Sequence, residues 1–368
     1  MMPPMKRSNT NLSICKAIAI ILMCMGHTEG PKLLMDFIYL FHMPVFFIAA
    51  GYFFDKKYLD DPWTFCKKRF KGLYVPFVKW SVFFLVLHNL FFKIGLLNGQ
   101  YGNWAGGITH PYSWHDIWQR LVHIIFSMGG YDEFLAGAFW FFRGLLVASI
   151  VFLILYLLLN NRHKWLNHNT IPWVIIALTI GFAWFKVANG LNIATIVQGG
   201  IRDCWGVTFF AMGVLYRRHE HLIPEHWALT LLYAALLVGG AALEFQGMAL
   251  KVQLRTVATL PVTGAIGFLM VHSIASWLDR HDGLVKRFLV YCGNNTLYIF
   301  VFHIISFKIV SAIKIMWYHL DWGQIGCHMV IHDGSTTDLF WVLYTIVGTA
   351  VPLLGIWTYR CLKQRIAD

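Results

Sequence analysis

The stretch Leu12-Ser13-Ile14-Cys15-Lys16-Ala17-Ile18-Ala19-Ile20-Ile21-Leu22-Met23-Cys24-Met25-Gly26-His27-Thr28 decides how this chain must fold. Apart from Lys16 and His27 it carries no strongly ionisable side chain. A helix needs roughly 20 residues to cross about 30 Å of hydrocarbon, and this stretch supplies most of one crossing. Lys6 and Arg7 precede it, as basic residues precede a signal peptide. However, Lys16 interrupts the apolar run and a second apolar segment follows at once, so it reads as an uncleaved first span.

Working outward, the composition agrees with a membrane protein. Of 368 residues, 58% are hydrophobic and 13% charged, against about 25% charged in soluble domains. Aromatic residues reach 17%, including 16 Trp and 15 Tyr, which favour membrane interfaces because an apolar ring there meets a polar tip. The net charge of +12 follows from basic residues in inner loops and needs no nucleic acid as partner. Cys15, Cys24, Cys66, Cys204, Cys292, Cys327 and Cys361 form no Cys-x-x-Cys pair. They read as small buried hydrophobes, neither a disulfide framework nor a metal site.

Apolar segments predict an all-α, polytopic membrane protein of about ten transmembrane helices. They lie near Leu12–Thr28, Phe37–Phe54, Tyr74–Leu97, Leu135–Asn160, Thr170–Val187, Ile201–Tyr216, Trp227–Leu243, Val257–Trp277, Phe288–Ile313 and Asp338–Cys361. With the N-terminus inside, the basic clusters Lys67, Lys68, Arg69 and Lys71, then Arg217 and Arg218, then Lys286 and Arg287, then Arg360, Lys363 and Arg365 all fall on the inner side. The positive-inside rule thus places both termini in the cytoplasm. Residues 1–368 read as a single transmembrane domain with no attached soluble domain. The outer loop near Asn98–Phe134 is rich in Tyr101, Trp104, His110, Tyr112, Trp114 and His115. These suit the faces and hydroxyls of a sugar, or equally an interfacial aromatic belt.

Ionisable groups within a span cost on the order of a few kcal/mol unless they face a cavity or a partner. Lys16 and His27 are separated by ten residues. Eleven helical steps of about 100° make three turns plus about 20°, with a rise of about 16 Å. The two side chains therefore share one face without touching. Snorkelling of Lys16 or interfacial hydrogen bonding by His27 would explain either alone. Their common face points to one tunnel, with Lys16 toward the cytoplasm and His27 toward the outer end. His42 precedes Pro44, which will distort the second span. Irregular backbone at that depth is tolerated only beside protein or a cavity, so His42 is a further tunnel candidate, or else a helix-packing histidine. No His-x3-His or His-Glu-x-x-His spacing supports a metal.

The spacing Lys16-x10-His27 resembles the Arg/Lys-x10-His signature in the first span of the acyltransferase-3 family of membrane acyltransferases. The stretches Phe41-His42-Met43-Pro44 and Gly51-Tyr52-Phe53-Phe54 in the second span are similar to that family. So are Lys68-Arg69-Phe70-Lys71 before the third, Phe139-Trp140-Phe141, Phe209-Phe210-Ala211-Met212-Gly213, and Gly293-Asn294-Asn295-Thr296 with His303. Each motif is weak alone; their order extends the resemblance over nearly the whole chain. Lys16 and Lys71 stand where the family often has Arg, keeping the charge but losing the planar bidentate fork.

The resemblance implies transfer of an acyl group, often acetyl, from cytoplasmic acyl-CoA to an acceptor outside. The short layout resembles bacterial sugar O-acetyltransferases. This implies a bacterial cytoplasmic (inner) membrane and a sugar, lipid-linked glycan or surface polysaccharide as acceptor. Acetyl-CoA would be a co-substrate, and no cofactor is expected to be permanently bound. His27 becomes the catalytic candidate, as general base or transient acyl carrier. An imidazole's ordinary pKa of about 6.5 suits either role at neutral pH. Lys16, Arg69 and Lys71 become candidates for binding acyl-CoA through its phosphates. Trp140, Arg143, Arg202 and Asn295 are candidates for the substrate tunnel or for stabilising an oxyanion, with His303 beside them. Arg143 reads equally as half of a buried ion pair.

A polytopic secondary transporter of a small anionic or sugar substrate is the alternative. The scarcity of acidic residues in the spans, and the lack of paired interrupted helices in the two halves, count against it. A receptor or scaffold without catalysis is a third reading.

Overall fold

A chain buried in lipid must satisfy every backbone N–H and C=O internally, which favours helices. The computed structural model meets this demand: all regular structure among the described residues is helical. It describes residues 7–28, 30–101, 109–160, 162, 165–191, 193, 200–330 and 338–367. Trp104, Lys164 and His332 lie outside them.

In chain order the α-helices are α1 (Arg7–Gly26), α2 (Lys32–Tyr39), α3 (His42–Tyr52), α4 (Lys57–Asp60) and α5 (Pro62–Arg69). Then come α6 (Val75–Lys93), α7 (Trp114–Ser127), α8 (Trp140–Leu159), α9 (Ile171–Ala188) and α10 (Ile201–His219). The last five are α11 (Trp227–Ala242), α12 (Leu254–Asp279), α13 (Leu284–Asn294), α14 (Thr296–Tyr318) and α15 (Phe340–Ala367).

Among the described residues, 7 stretches are long and apolar enough to cross a membrane. They are Lys32–Tyr52, Pro62–Lys93, Gly137–Leu159, Ile171–Ala188, Leu254–Asp279, Thr296–Tyr318 and Phe340–Ile366. The first and seventh spans expected from the sequence correspond to shorter apolar helices, Thr10–Gly26 and Trp227–Ala242. The sixth is α10, a helix of ample length diluted by Arg202, Asp203, Arg217 and Arg218. Length and apolarity alone therefore support fewer crossings than the ten expected.

Two breaks follow from local chemistry. Pro44 has no N–H for the Leu40 carbonyl, and its ring crowds that carbonyl. The chain answers with i to i−3 bonds at Leu40 and Phe41 (3.3 and 3.2 Å) before α3 begins. Pro76 acts likewise on the long helix before it. The turn Phe70–Tyr74 is wound as a π-helix, the usual way of absorbing one residue too many.

The predicted ninth span, Phe288–Ile313, is also not one helix. α13 stops at Asn294 and α14 starts at Thr296, with Asn295 between them outside the helical conformation. The long segment after α6, expected from the sequence to be an outer loop, is not all loop either. Ser113 and Asp116 form a capping box that starts α7, and Trp114, Trp118, Ile125 and Phe126 on it stay exposed.

The chain divides into two compact units. The first comprises Met1–Met23, Lys32–Tyr74 and Phe142–Asn294. Its centre is the crossing of α3 and α10, where two glycines remove the side chains that would hold the helices apart. A methyl group on Gly51 would lie 2.0 Å from the Phe210 carbonyl oxygen, and one on Gly213 the same distance, 2.0 Å, from that of Ile48. Such backbone approach lets small residues pack helices in lipid. Gly293 likewise lets α13 meet α1, since a methyl there would lie 1.8 Å from the Ser13 carbonyl oxygen.

The second unit comprises Cys24–Pro31, Val75–Phe141 and Asn295–Asp368. Here α14 packs on α15 around buried Phe307, Val310, Met329 and Tyr344. Tyr344 OH bonds Ser311 Oγ at 2.9 Å and accepts from the Val330 N–H at 3.2 Å. Lys314 pairs with Asp338 at 2.7 Å.

Candidate functional site

α1 ends at Gly26, and the chain leaves it in a tighter turn. His27 N–H bonds Cys24 O (3.1 Å) and Thr28 N–H bonds Met25 O (3.0 Å), both i to i−3. The final step to His27 is therefore wound more tightly than an α-helix. His27 is half-buried, and two other imidazoles of the second unit stand beside it. His303 of α14 meets it edge-on, 5.2 Å between ring centroids and 76° between planes. His328, from the segment between α14 and α15, lies tilted at 6.0 Å and 34°. Phe307 packs on both His303 and His328.

His303 is buried. Its Nδ1 faces the carbonyls of Ile299 (3.2 Å) and Phe300 (3.0 Å). Carbonyls only accept, so the network assigns the proton to Nδ1 and leaves a lone pair on Nε2. That Nε2 is buried and has no hydrogen-bond partner. An unsatisfied polar atom in such a place calls for an explanation, and a ligand or catalytic role is one. His328 is buried too. Lys308, buried on α14, holds the same segment by donating to the carbonyls of Ile325 (2.7 Å) and Cys327 (2.5 Å). Neither His328 nor Lys308 stands out in the sequence. Only the fold brings His328 beside His27.

The other candidates are dispersed. Asn295 lies in the second unit, where its Oδ1 accepts from Arg360 at 2.8 Å. Trp140 opens α8, half-buried, its ring edge-on to Phe141 at 6.3 Å. Arg143 and Asp203, in the first unit, form a buried ion pair at 3.1 Å, the structural reading of Arg143. Arg202 donates to the Met248 carbonyl at 2.8 Å. His42 Nδ1 bonds the Ile38 carbonyl at 2.9 Å and its ring meets Tyr39, contacts that pack α3 against α2.

Of the basic candidates, Lys16 is half-buried on α1 and Lys71 is exposed in the π turn. Arg69 turns inward, donating to the Ala50 carbonyl at 3.1 Å between the rings of Phe65 and Phe210. The first unit also contains a polar cavity of about 450 Å³ lined by Asn11, Tyr52, Glu220, Glu225, His272, Ser276, Asp279 and Arg280. Glu225 accepts from Arg280 and Ser276, each at 2.6 Å, and Glu220 from Tyr52 at 2.8 Å. The sequence reading missed this carboxylate-rich cavity. Its residues come from α1, α3 and α12 and from the segment between α10 and α11, far apart in the chain. No three His, Cys, Asp or Glu side chains among the described residues are grouped to hold a metal ion.

Among the described residues, seven long apolar helical stretches carrying buried imidazoles and cations define an integral membrane protein with polar chemistry inside it. The family model for an acyltransferase domain of the acyltransferase-3 kind matches residues 9–359, and the chain belongs to that family. It is thus a membrane acyltransferase. Neither the comparison with curated proteins nor that with solved structures gives a match.

Proposed function

We propose that this protein is an O-acyltransferase that moves an acyl group, acetyl in the simplest case, from cytoplasmic acyl-CoA to a hydroxyl of an extracytoplasmic sugar, lipid-linked glycan or surface polysaccharide. Both termini then lie in the cytoplasm, and the protein sits in a bacterial cytoplasmic membrane. The reading rests chiefly on the meeting of His27 and His303, 5.2 Å apart, in a chain of this family.

In the reaction, a His27 ring nitrogen takes the acceptor's hydroxyl proton as that oxygen attacks the thioester carbonyl carbon. The C–S bond then breaks, the ester forms, and the proton passes from His27 to the departing thiolate. A variant with the same products lets His27 attack first and carry the acyl group before the acceptor takes it. The His303 Nε2 lone pair offers an acceptor for a proton or hydrogen bond in the same place. Lys16, Arg69 and Lys71 attract the donor's phosphates as point charges or through a fork that is already partly engaged. Trp140 and His42 remain candidates for the acceptor's path.

Mass spectrometry of surface glycans from cells with and without the protein tests the reading. One acyl group per repeat, present only with the protein, is expected. Identical glycan masses, together with uptake of a small sugar or anion, would favour a transporter instead.

A further inference from the structure

One face of α14 gathers polar groups of the second unit, and the proposed reaction uses only part of them. His303, Phe307 and Ser311 follow one another at steps of four, so their side chains form one row, with Lys308 next to Phe307. His303 meets His27. Phe307 backs the rings of both His303 and His328, at 5.7 and 6.2 Å between centroids. His328 lies 6.0 Å from His27, its plane tilted by 34°. That spacing admits one hydroxyl oxygen about 2.8 Å from a nitrogen of each ring.

The backbone on either side of His328 is anchored. The Lys308 ammonium donates to the carbonyls of Ile325 (2.7 Å) and Cys327 (2.5 Å). The Cys327 carbonyl shares one planar peptide group with the His328 N–H, so Lys308 fixes the plane from which this ring hangs. Two residues further on, the Val330 N–H donates to Tyr344 OH (3.2 Å), which bonds Ser311 Oγ (2.9 Å). Both anchors thus lead back to the row on α14. An ammonium buried in a membrane protein is costly, and Lys308, buried on α14, bears that cost while ordering the segment that carries His328. With the C-terminus in the cytoplasm, as proposed above, α15 runs inward, and the segment before it lies on the extracytoplasmic side. His328 then approaches His27 from the side where the acceptor arrives.

We propose that His328 is a second catalytic residue of the acyl-transfer site: a ring N–H donates to the acceptor's hydroxyl oxygen and holds it beside His27, while Lys308 is the positioning residue that keeps the ring there. The inference rests on the acyltransfer reading and leaves its proton path unchanged. The hydroxyl proton still goes to His27, and from there to the departing thiolate.

The test counts label from radioactive acetyl-CoA in glycan, in membrane vesicles, per amount of folded protein. His328→Leu is expected to melt as a folded protein and to lose about a hundredfold of the rate, the scale usual for a misplaced reacting group. Asn and Gln carry an amide N–H near the places of the two ring nitrogens. One of His328→Asn and His328→Gln is expected to keep the rate within about tenfold of the wild type, because the hydrogen bond survives. A packing role gives the opposite order, with leucine best tolerated in a buried place; that order, or equal losses, overturns the inference. Lys308→Arg keeps donors for both carbonyls and should outrun Lys308→Met, whose loss should vanish in a His328→Leu background. Equal rates for the two Lys308 variants, or losses that multiply in the double variant, overturn the positioning role. Should Lys308→Arg not fold, the double variant alone decides. If neither amide variant folds, His328 is core and the inference is overturned. Wild-type vesicles that transfer no label would overturn the acyltransfer reading itself, whereas labelling that survives His328→Leu would overturn only the role given to His328.

Discussion

The ring of His303 stands edge-on to that of His27, 5.2 Å away, while its own Nδ1 is turned back to the carbonyls of Ile299 and Phe300. His303→Leu would fill much of the same buried space while removing the Nε2 lone pair and the Nδ1 bonds to the carbonyls of its own helix. Melting should show a folded protein, and label transfer from acetyl-CoA should fall about a hundredfold, within the range usual for acid–base groups. Unchanged transfer would make His303 a packing residue.

Gly213 faces the backbone of Ile48, which cannot swing aside as a side chain can. Gly213→Ala should force α3 and α10 apart and destabilise the protein by about 1–3 kcal/mol, as overpacking does. Gly239→Ala on α11 is the control, because nothing lies within 4 Å of its added methyl. Thermal melting in detergent should show a fall for the first and no fall for the second.

Arg143 and Asp203 neutralise each other away from solvent. Arg143→Met should cost about 3–5 kcal/mol by leaving a buried carboxylate alone, and Arg143→Met with Asp203→Leu should recover much of that loss. If the double variant also keeps its acyl transfer, Arg143 has no part in stabilising an oxyanion. Activity lost despite recovered melting would return it to the site.

At the start of α7, outside the spans, the Ser113 hydroxyl and N–H both donate to Asp116 (2.7 and 2.9 Å). These bonds hold the Asp116 carboxyl below its ordinary range. A folded value below the unfolded one means that the cap's contribution is present above the unfolded pKa, about 3.9, and is lost as pH falls through the lower folded value. The protection factors of the α7 amides, each taken against the intrinsic exchange rate at the same pH, should therefore fall in acid for the wild type. Asp116→Asn should show low protection factors already at neutral pH, with no further fall in acid.

Much of the fold was legible because lipid imposes one demand, an apolar stretch of set length. The break near Leu40 was legible from Pro44, whose missing N–H acts within its own turn. The division at Asn295 was not, because nothing in the apolar pattern of Phe288–Ile313 separates two helices from one. α10 shows the opposite limit: its charges blur its apolar signal, and three of them are spent on partners, Asp203 with Arg143, Arg202 with the carbonyl of Met248 (2.8 Å) and Arg217 with the carbonyl of Phe54 (3.1 Å). In the site, His27 and His303 could be named from spacing and motif. His328 could not, because a histidine in a loop carries no periodicity that says what it will face. The same holds for Glu220 and Glu225, which lie just past helix ends and meet only when distant helices assemble.

The account's central claim is that His27 handles the proton or the acyl group in transfer. Radioactive acetyl-CoA supplied to membrane vesicles carrying the protein, with label counted in glycan, measures this directly. The wild type should incorporate label and His27→Ala should lose about a thousandfold of the rate while melting as a folded protein. Full incorporation by His27→Ala would contradict the account.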